Sequence, residues 1–289
     1  MVVSEAKVWT VGGVLQWTQR YLADKGIDNP RLDAEVLLAH VIKTDRLHLY
    51  VDFHKPLQAA ELELYRELIK QRARRIPVAY ITGNKEFMGL SFLVTPAVLI
   101  PRPDTEILVE TVMRYAKTQN EPLIIDVGTG SGAIIVSLLK LLPAAWGIAL
   151  DISAQALAVA AENACRQEVL VRLEFMEGDL LQPVQGRQVD FIAANPPYIP
   201  AGDLAGLEPE VRKEPLLALS PGTDGLHCYR RLVRESLPVL RPQGRLICEV
   251  GIGQAGPVAQ LMRETQGYGD IEIIRDYGGI ERVVAGRRK

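Results

Sequence analysis

Residues 123–132 read Leu-Ile-Ile-Asp-Val-Gly-Thr-Gly-Ser-Gly and run into Ala-Ile-Ile-Val. Five mostly apolar residues are too few for a helix but enough for a strand buried on both faces. Three glycines at alternate positions then allow a sharp turn and a close approach of main chain to a ligand. The helical pattern that follows makes this a strand–turn–helix unit, and such units require a parallel sheet covered by helices. The downstream pattern agrees. Spacing and β-branched content predict strands at 123–127, 145–150, 171–176, 189–194, 244–249, 270–275 and 281–286, and helices at 104–117, 132–141, 154–165, 225–240 and 254–265. The last two strands have no helix between them, so they are expected as an antiparallel pair at the sheet's edge. The fold class is α/β, a Rossmann-like sheet.

Before residue 104 the pattern differs. Val14, Leu15, Trp17, Thr18, Tyr21 and Leu22 fall at helical spacing; Pro30 opens a second helix; a third runs from about Leu57 to Arg74. Phe87, Leu90, Phe92 and Val94 around Met88-Gly89 predict a short hairpin. The expected organisation is a helical bundle at 1–76, a hairpin linker at 77–103 and an α/β domain at 104–289. The run Arg66, Lys70, Arg72, Arg74, Arg75 either docks an acidic or nucleic-acid-bearing partner or complements a helix dipole, and the second is the commoner use of such a helix end.

Composition narrows the function classes. The 33 Lys+Arg and 35 Asp+Glu of 289 residues leave a formal charge of −2, without the basic excess of a protein built to grip phosphate backbones. Three cysteines with no C-x-x-C pair predict neither a disulfide framework nor a Cys-rich zinc site, and the four histidines form no ligand pair. No apolar run of about 20 residues marks a membrane span. The expectation is a soluble cytoplasmic protein with no metal.

The glycine turn admits two ligands. Gly128-x-Gly130-x-x-Ala133 formally satisfies a dinucleotide fingerprint, and Asp151 at the end of the next strand stands about 20 residues on, where a carboxylate accepts ribose hydroxyls. Asp126, however, would repel a pyrophosphate. A carboxylate there suits a ligand carrying an ammonium and a sulfonium, S-adenosyl-L-methionine, and the third glycine at 132 completes D-x-G-x-G-x-G. Gly178-Asp179 after the third strand is placed either to meet the adenine amino group or simply to turn the chain.

Asp190-Phe-Ile-Ala-Ala-Asn-Pro-Pro-Tyr198 is a fourth buried strand entering a rigid corner. Pro196 and Pro197 fix φ and bring no N–H, which leaves carbonyls to accept. Asn195 adds a side-chain carbonyl and Tyr198 a flat face. Acceptors on both hydrogens of a planar NH2 raise electron density on a nitrogen whose lone pair is delocalised, and aim it at a methyl donor. Positioning and electrostatics carry such a reaction without a basic side chain.

With these motifs the chain resembles, over nearly its whole length, the peptide chain release factor N5-glutamine methyltransferases, the PrmC/HemK family. The resemblance rests on Glu86-Phe-Met-Gly-Leu90, Ile100-Pro-Arg-Pro-Asp-Thr-Glu106, Asp126 to Gly132, Asp151 and Asn195-Pro-Pro-Tyr198. It extends to Glu214-Pro215 with Leu219, Gly225-Leu226, Tyr229-Arg230, Glu249-Val-Gly-Ile-Gly-Gln254 and Asp276 through Arg282. It implies a class I S-adenosyl-L-methionine-dependent methyltransferase fold with an N-terminal substrate-docking domain. The implied reaction is methylation of the Gly-Gly-Gln glutamine of class 1 release factors, with S-adenosyl-L-homocysteine as product.

Asp126, Gly128, Thr129, Gly130, Ser131, Gly132, Asp151, Asp179, Leu180 and Asn195 would then hold the cofactor. Asn195, Pro196, Pro197 and Tyr198 would hold the glutamine amide, and Ile100–Glu106 would lie near the cofactor's methionine end. Leu180 stands where some members carry Trp, so stacking on adenine is reduced. The main rival is an N6-adenine methyltransferase of DNA or RNA, whose planar NH2 suits the same tetrad; the charge balance and the Ile100–Glu106 run argue against it. A non-catalytic sensor is disfavoured by the intact tetrad, and a nicotinamide dehydrogenase by Asp126. The expected partners are release factors, with no membrane or direct nucleic-acid binding, and the expected state is a monomer.

Overall fold

The computed structural model describes residues 8–220 and 222–289. The chain divides into two units, one running to Gly83 and taking in Pro209–Lys213, the other comprising Asn84–Glu208 and Glu214–Lys289.

The first unit is helical. Thr10 caps α1 (Val11–Asp24) by accepting from the Gly13 amide at 3.2 Å. Pro30 occupies the first turn of α2 (Pro30–Ile42), where its missing N–H leaves no bond unmade. The short α3 (His48–Val51) follows, then α4 (Ala59–Ala73), opened by a capping box between Gln58 and Glu61, and α5 (Val78–Thr82). Leu22, Leu37, Leu38 and Leu49 are fully buried among these helices, each contributing about 1.5–3 kcal/mol by leaving water. Four-residue α3 and five-residue α5 are too short to show a periodicity, and α5 carries the helical unit beyond residue 76.

This unit also buries charge. Arg72, 6% exposed, donates to Asp33 Oδ2 at 2.6 Å and to Glu210 Oε1 at 2.8 Å. Arg75 reaches Glu210 at 3.2 Å and the Gly26 carbonyl at 2.7 Å. Two of the five cations at the end of α4 are therefore internal partners.

The second unit begins with a hairpin, β1 (Asn84–Phe87) and β2 (Leu90–Leu93). Met88 and Gly89 between them both have positive φ, the two-residue turn that matches strand twist. There follow α6 (Glu106–Ala116), β3 (Leu123–Val127), α7 (Ala133–Leu141), β4 (Trp146–Asp151), α8 (Ala154–Arg166), β5 (Leu173–Glu177) and β6 (Val189–Ala194). The chain ends with α9 (Leu216–Leu219), α10 (His227–Val239), β7 (Leu240–Glu249), α11 (Ala255–Glu264), β8 (Tyr268–Arg275) and β9 (Glu281–Arg288).

The seven-stranded sheet has the order β5-β4-β3-β6-β7-β9-β8. Its first five strands are parallel, and β9 runs antiparallel to both neighbours. The antiparallel pair expected at the edge is there, with β8 outermost. The strand expected at 171–176 starts instead at Leu173, because Leu170–Arg172 form a 3-10 turn.

Alternate residues of β3 feed opposite layers. Ile124 packs with α6, α7 and the hairpin phenylalanines, whereas Ile125 packs with α10 and α11. The register aligns Val127 with Leu150 and with Ala194, and Ala194 with Cys248. Gly128, Asp151, Asn195 and Glu249 consequently emerge together at the carboxyl edge of the sheet, where open α/β sheets bind ligands.

Candidate active site

The Leu150 carbonyl pins the glycine turn by accepting from the amides of Gly128 and Thr129, both at 2.8 Å. Gly128, Gly130 and Gly132 all have positive φ. A Cβ on Gly128 or Gly130 would meet no atom within 4 Å, so these glycines present open main chain, while one on Gly132 would press against Ala160 of α8 at 3.1 Å. Thr129 and Ser131 are buried: the Thr129 hydroxyl donates to Asp126 Oδ2 at 2.7 Å, and the Ser131 carbonyl accepts from Asn163 at 2.8 Å.

Asp126 itself is fully enclosed, and its Oδ1 has no hydrogen-bond partner. Burial pushes its carboxyl up to about 7 against the bond from Thr129.

A cavity of about 530 Å³ opens on this edge, walled by Gly128, Gly130, Asp151, Asp179, Leu180, Asn195 and Pro197 among others. Asp126, Thr129, Ser131, Gly132, Pro196 and Tyr198 stand behind that wall rather than in it. Asp151 accepts from the Gly130 amide on one oxygen and the Ser153 amide on the other, both at 2.9 Å, which fixes its plane and leaves lone pairs for hydroxyls. Burial raises its carboxyl above the usual range. Asp179 is gripped at both oxygens by Arg231 Nη1, at 3.0 and 2.8 Å. Leu180 is held at positive φ, with its side chain partly buried.

The tetrad is braced from behind by residues to which sequence reasoning gave no role. Gln254 Nε2 donates to the Tyr198 carbonyl at 3.0 Å, while its Oε1 accepts from the Gly251 amide at 3.1 Å. Burial pushes the Tyr198 hydroxyl up to about 12. Asn195 Nδ2 donates to Thr105 Oγ1 at 3.1 Å. The Ile100–Glu106 run spends its polar groups on the scaffold: Arg102 and the Ile100 amide bind Glu214, Asp104 pairs with Arg282 at 2.8 Å, and Glu106 accepts from the Met88 amide at 2.7 Å. The one signal available beforehand was that Thr105, Glu214, Glu249 and Gln254 all fall in the motifs carrying the family resemblance.

A site of this kind presents fixed acceptors at a cavity floored by open glycine main chain. Comparison with known proteins agrees with that chemistry. Residues 13–83 match the PrmC N-terminal domain, and residues 103–205 match the methyltransferase small domain. A release factor glutamine methyltransferase of Geobacter sulfurreducens is 45% identical over 99% of both chains. The chain belongs to the release factor glutamine methyltransferases.

Another member of this family, from Moorella thermoacetica, is 43% identical over 93% of this chain and 95% of its own. Solved structures share the sheet at lower identity. One is the hMettl16 catalytic domain in complex with MAT2A 3'UTR hairpin 6, with TM-score 0.58 and 19% identity over 74% of this chain and 80% of that one. Another is a methyltransferase from Pyrococcus furiosus, with TM-score 0.53 and 16% identity over 70% and 91%. These establish a Rossmann-like class I methyltransferase fold for this release factor glutamine methyltransferase. No helix among the described residues is long and apolar enough to cross a membrane.

Proposed function

We propose that this enzyme methylates the side-chain nitrogen, N5, of the glutamine in the Gly-Gly-Gln motif of class 1 release factors, with S-adenosyl-L-methionine as donor. The observation that carries the reading is that Asn195 and Pro197 wall the same cavity as Gly128, Gly130 and Asp151. That cavity fits the donor: the two glycines leave open main chain, and Asp151 has lone pairs to spare for ribose hydroxyls. When bound, the cofactor supplies an electrophilic methyl carbon on a sulfonium and leaves as S-adenosyl-L-homocysteine.

The protein's part is geometric and electrostatic. Asn195 Oδ1 and the carbonyls of the proline corner accept the two amide hydrogens and aim the lone pair along the cavity. The rigid backbone of Pro196 and Pro197 keeps those acceptors from relaxing. The extra proton leaves the methylated nitrogen to solvent after transfer.

The helical unit docks the release factor. It offers a groove of about 330 Å³ lined by Trp9, Trp17, Tyr21 and Leu62, with Arg66 and Lys70 on its rim. The enzyme works as a cytoplasmic monomer.

The test offers labelled donor to a class 1 release factor, to its Gly-Gly-Gln glutamine-to-alanine variant, and to DNA and RNA. Label is expected on the intact factor alone; label on nucleic acid alone overturns the reading in favour of an adenine methyltransferase. In the same assay Asn195→Ala lowers turnover about 100-fold, the scale of one lost transition-state hydrogen bond, with donor affinity nearly unchanged. Trp17→Ala with Arg66→Glu lowers kcat/KM on the full-length factor but not on a short Gly-Gly-Gln peptide.

A further inference from the structure

An asparagine is a useful acceptor only if its amide points the right way. Its oxygen and nitrogen ends have nearly the same shape, so a half-turn of the terminal torsion replaces an acceptor by a donor. At the mouth of this cavity the turn would set N–H against the N–H of an incoming amide. Something must choose the orientation.

Behind Asn195 lies a buried acidic residue that the chemistry above does not use. Asn195 follows β6 and Glu249 ends β7; these strands are parallel neighbours, with Ala194 opposite Cys248, so the two residues leave the sheet side by side. Glu249 is 1% exposed, and its Oε2 has no hydrogen-bond partner. The Thr105 hydroxyl and the Asn195 amide nitrogen face this carboxylate and favour its ionised form. Thr105 is itself buried in the 3-10 turn Pro103–Thr105, where its amide donates to the Arg102 carbonyl at 3.1 Å.

The polarity of this cluster runs one way. An ionised Glu249 only accepts. The Thr105 hydroxyl turns a lone pair to Asn195 Nδ2, 3.1 Å away, which leaves its proton to face the carboxylate whose ionised form it favours. Both neighbours therefore demand the nitrogen end of Asn195, and the oxygen end is left for the cavity. A flipped Asn195 would set its oxygen against a buried carboxylate.

We propose that Thr105 and Glu249 are positioning residues that lock the Asn195 side chain with its nitrogen turned inward and its oxygen turned to the substrate amide. The proposal rests on the reading of Asn195 as an acceptor of that amide. It also gives a task to Thr105 within the Ile100–Glu106 run, and to the acid that opens Glu249–Gln254.

The lock is sensitive to protonation. Burial pushes the Glu249 carboxyl up to about 7, opposed by the neighbouring Thr105, Arg282 and Asn195. The other groups around it are Asp104 from the turn before α6, Tyr198 of the tetrad, and Tyr229 of α10, whose hydroxyl donates to the Glu249 carbonyl at 2.8 Å. A protonated Glu249 has a hydrogen to donate, and so stops requiring the nitrogen end of Asn195.

The experiment compares Thr105→Ala, Thr105→Ser, Glu249→Gln and Asn195→Ala in the full chain. Single-turnover methylation of a release factor is followed alongside calorimetry of donor binding. Thr105→Ala is expected to slow the single turnover about 10- to 100-fold, the range for losing a hydrogen bond in a charged network. Donor affinity should stay within about twofold, and Thr105→Ser should recover most of the rate, because serine keeps the hydroxyl.

A second readout needs no activity. In 15N-labelled protein the Asn195 side-chain NH2 signals should titrate near pH 7, and stop titrating there in Glu249→Gln. Normal turnover in Thr105→Ala beside a crippled Asn195→Ala, or NH2 signals indifferent to pH, overturns the lock alone. A benign Asn195→Ala overturns the reading of the tetrad as well.

Discussion

The same methyl group, added at two neighbouring glycines, should do opposite things. Gly130 and Gly132 have φ of +54° and +77°, so alanine at either position incurs about 1–2 kcal/mol of left-handed strain. They differ in what lies beside them. At Gly130 the new Cβ meets nothing within 4 Å, whereas at Gly132 it meets Ala160 Cβ at 3.1 Å and Ala160 Cα at 3.3 Å. The second contact is with α8 backbone, which cannot swing aside, so crowding adds about 1–3 kcal/mol. Gly132→Ala should therefore destabilise the α/β unit by about 3 kcal/mol and Gly130→Ala by about 1 kcal/mol. For a unit of this size that is a fall in Tm of about 6–12 °C against about 2–4 °C.

Donor binding should separate the two variants the other way. Gly130 walls the cavity and Gly132 does not, so Gly130→Ala should lose at least about tenfold in affinity, roughly 1.4 kcal/mol, while whatever Gly132→Ala protein remains folded binds nearly normally. The clean assay is urea unfolding in a Trp9→Phe, Trp17→Phe background, which leaves Trp146 on β4 as the sole indole of the three, combined with calorimetry. Equal destabilisation by the two substitutions, or undiminished donor binding by Gly130→Ala, would refute the reasoning.

Two further outcomes are expected. Arg72→Ala strands the buried Asp33 carboxylate, leaves Glu210 with Arg75 alone and should destabilise the helical unit by about 3–5 kcal/mol. Arg74→Ala, on the exposed side of the same helix end, should change stability by less than about 0.5 kcal/mol in the same chemical denaturation. The second outcome concerns pH. The buried Asp126 carboxyl is raised to about 7 from an ordinary 3.8, so between those values the unfolded chain releases a proton that the folded chain keeps. Its contribution to stability then falls as pH rises through this window, by at most about 1.4 kcal/mol per unit. Asp126→Asn should gain on the native protein between pH 5 and pH 7 in urea titrations; parallel stability profiles would count against a raised carboxyl.

Much of the sheet is legible because its signals are local. Leu123–Gly132 announces a strand, a turn and a helix within ten residues, and the alternation that follows repeats the message element by element. What is hidden depends on partners distant in the chain. Thr105 meets Asn195 across 90 residues, and Arg72 meets Glu210 across 138; neither pairing has a spacing to read. Asp179 stands after a strand as expected, but its commitment to Arg231 is visible only once α10 is in place. Asp126 reads as a charge for the ligand, yet the fold encloses it and turns it toward Thr129. Short α3 and α5 escape notice because one turn of helix has no period.

Five residues of late sequence, Pro209–Lys213, belong to the helical unit, with Glu210 accepting from both Arg72 and Arg75. The helices are thus not a cassette that one cut after Gly83 would release. A graft of this recognition head onto another methyltransferase would have to carry a second fragment, taken from beyond the tetrad. A truncation that discards the helices would leave Glu210 an orphan in what remains. Evolution faces the same constraint: the two stretches must be inherited together, and a recombination joint placed between them would part an acid from its bases.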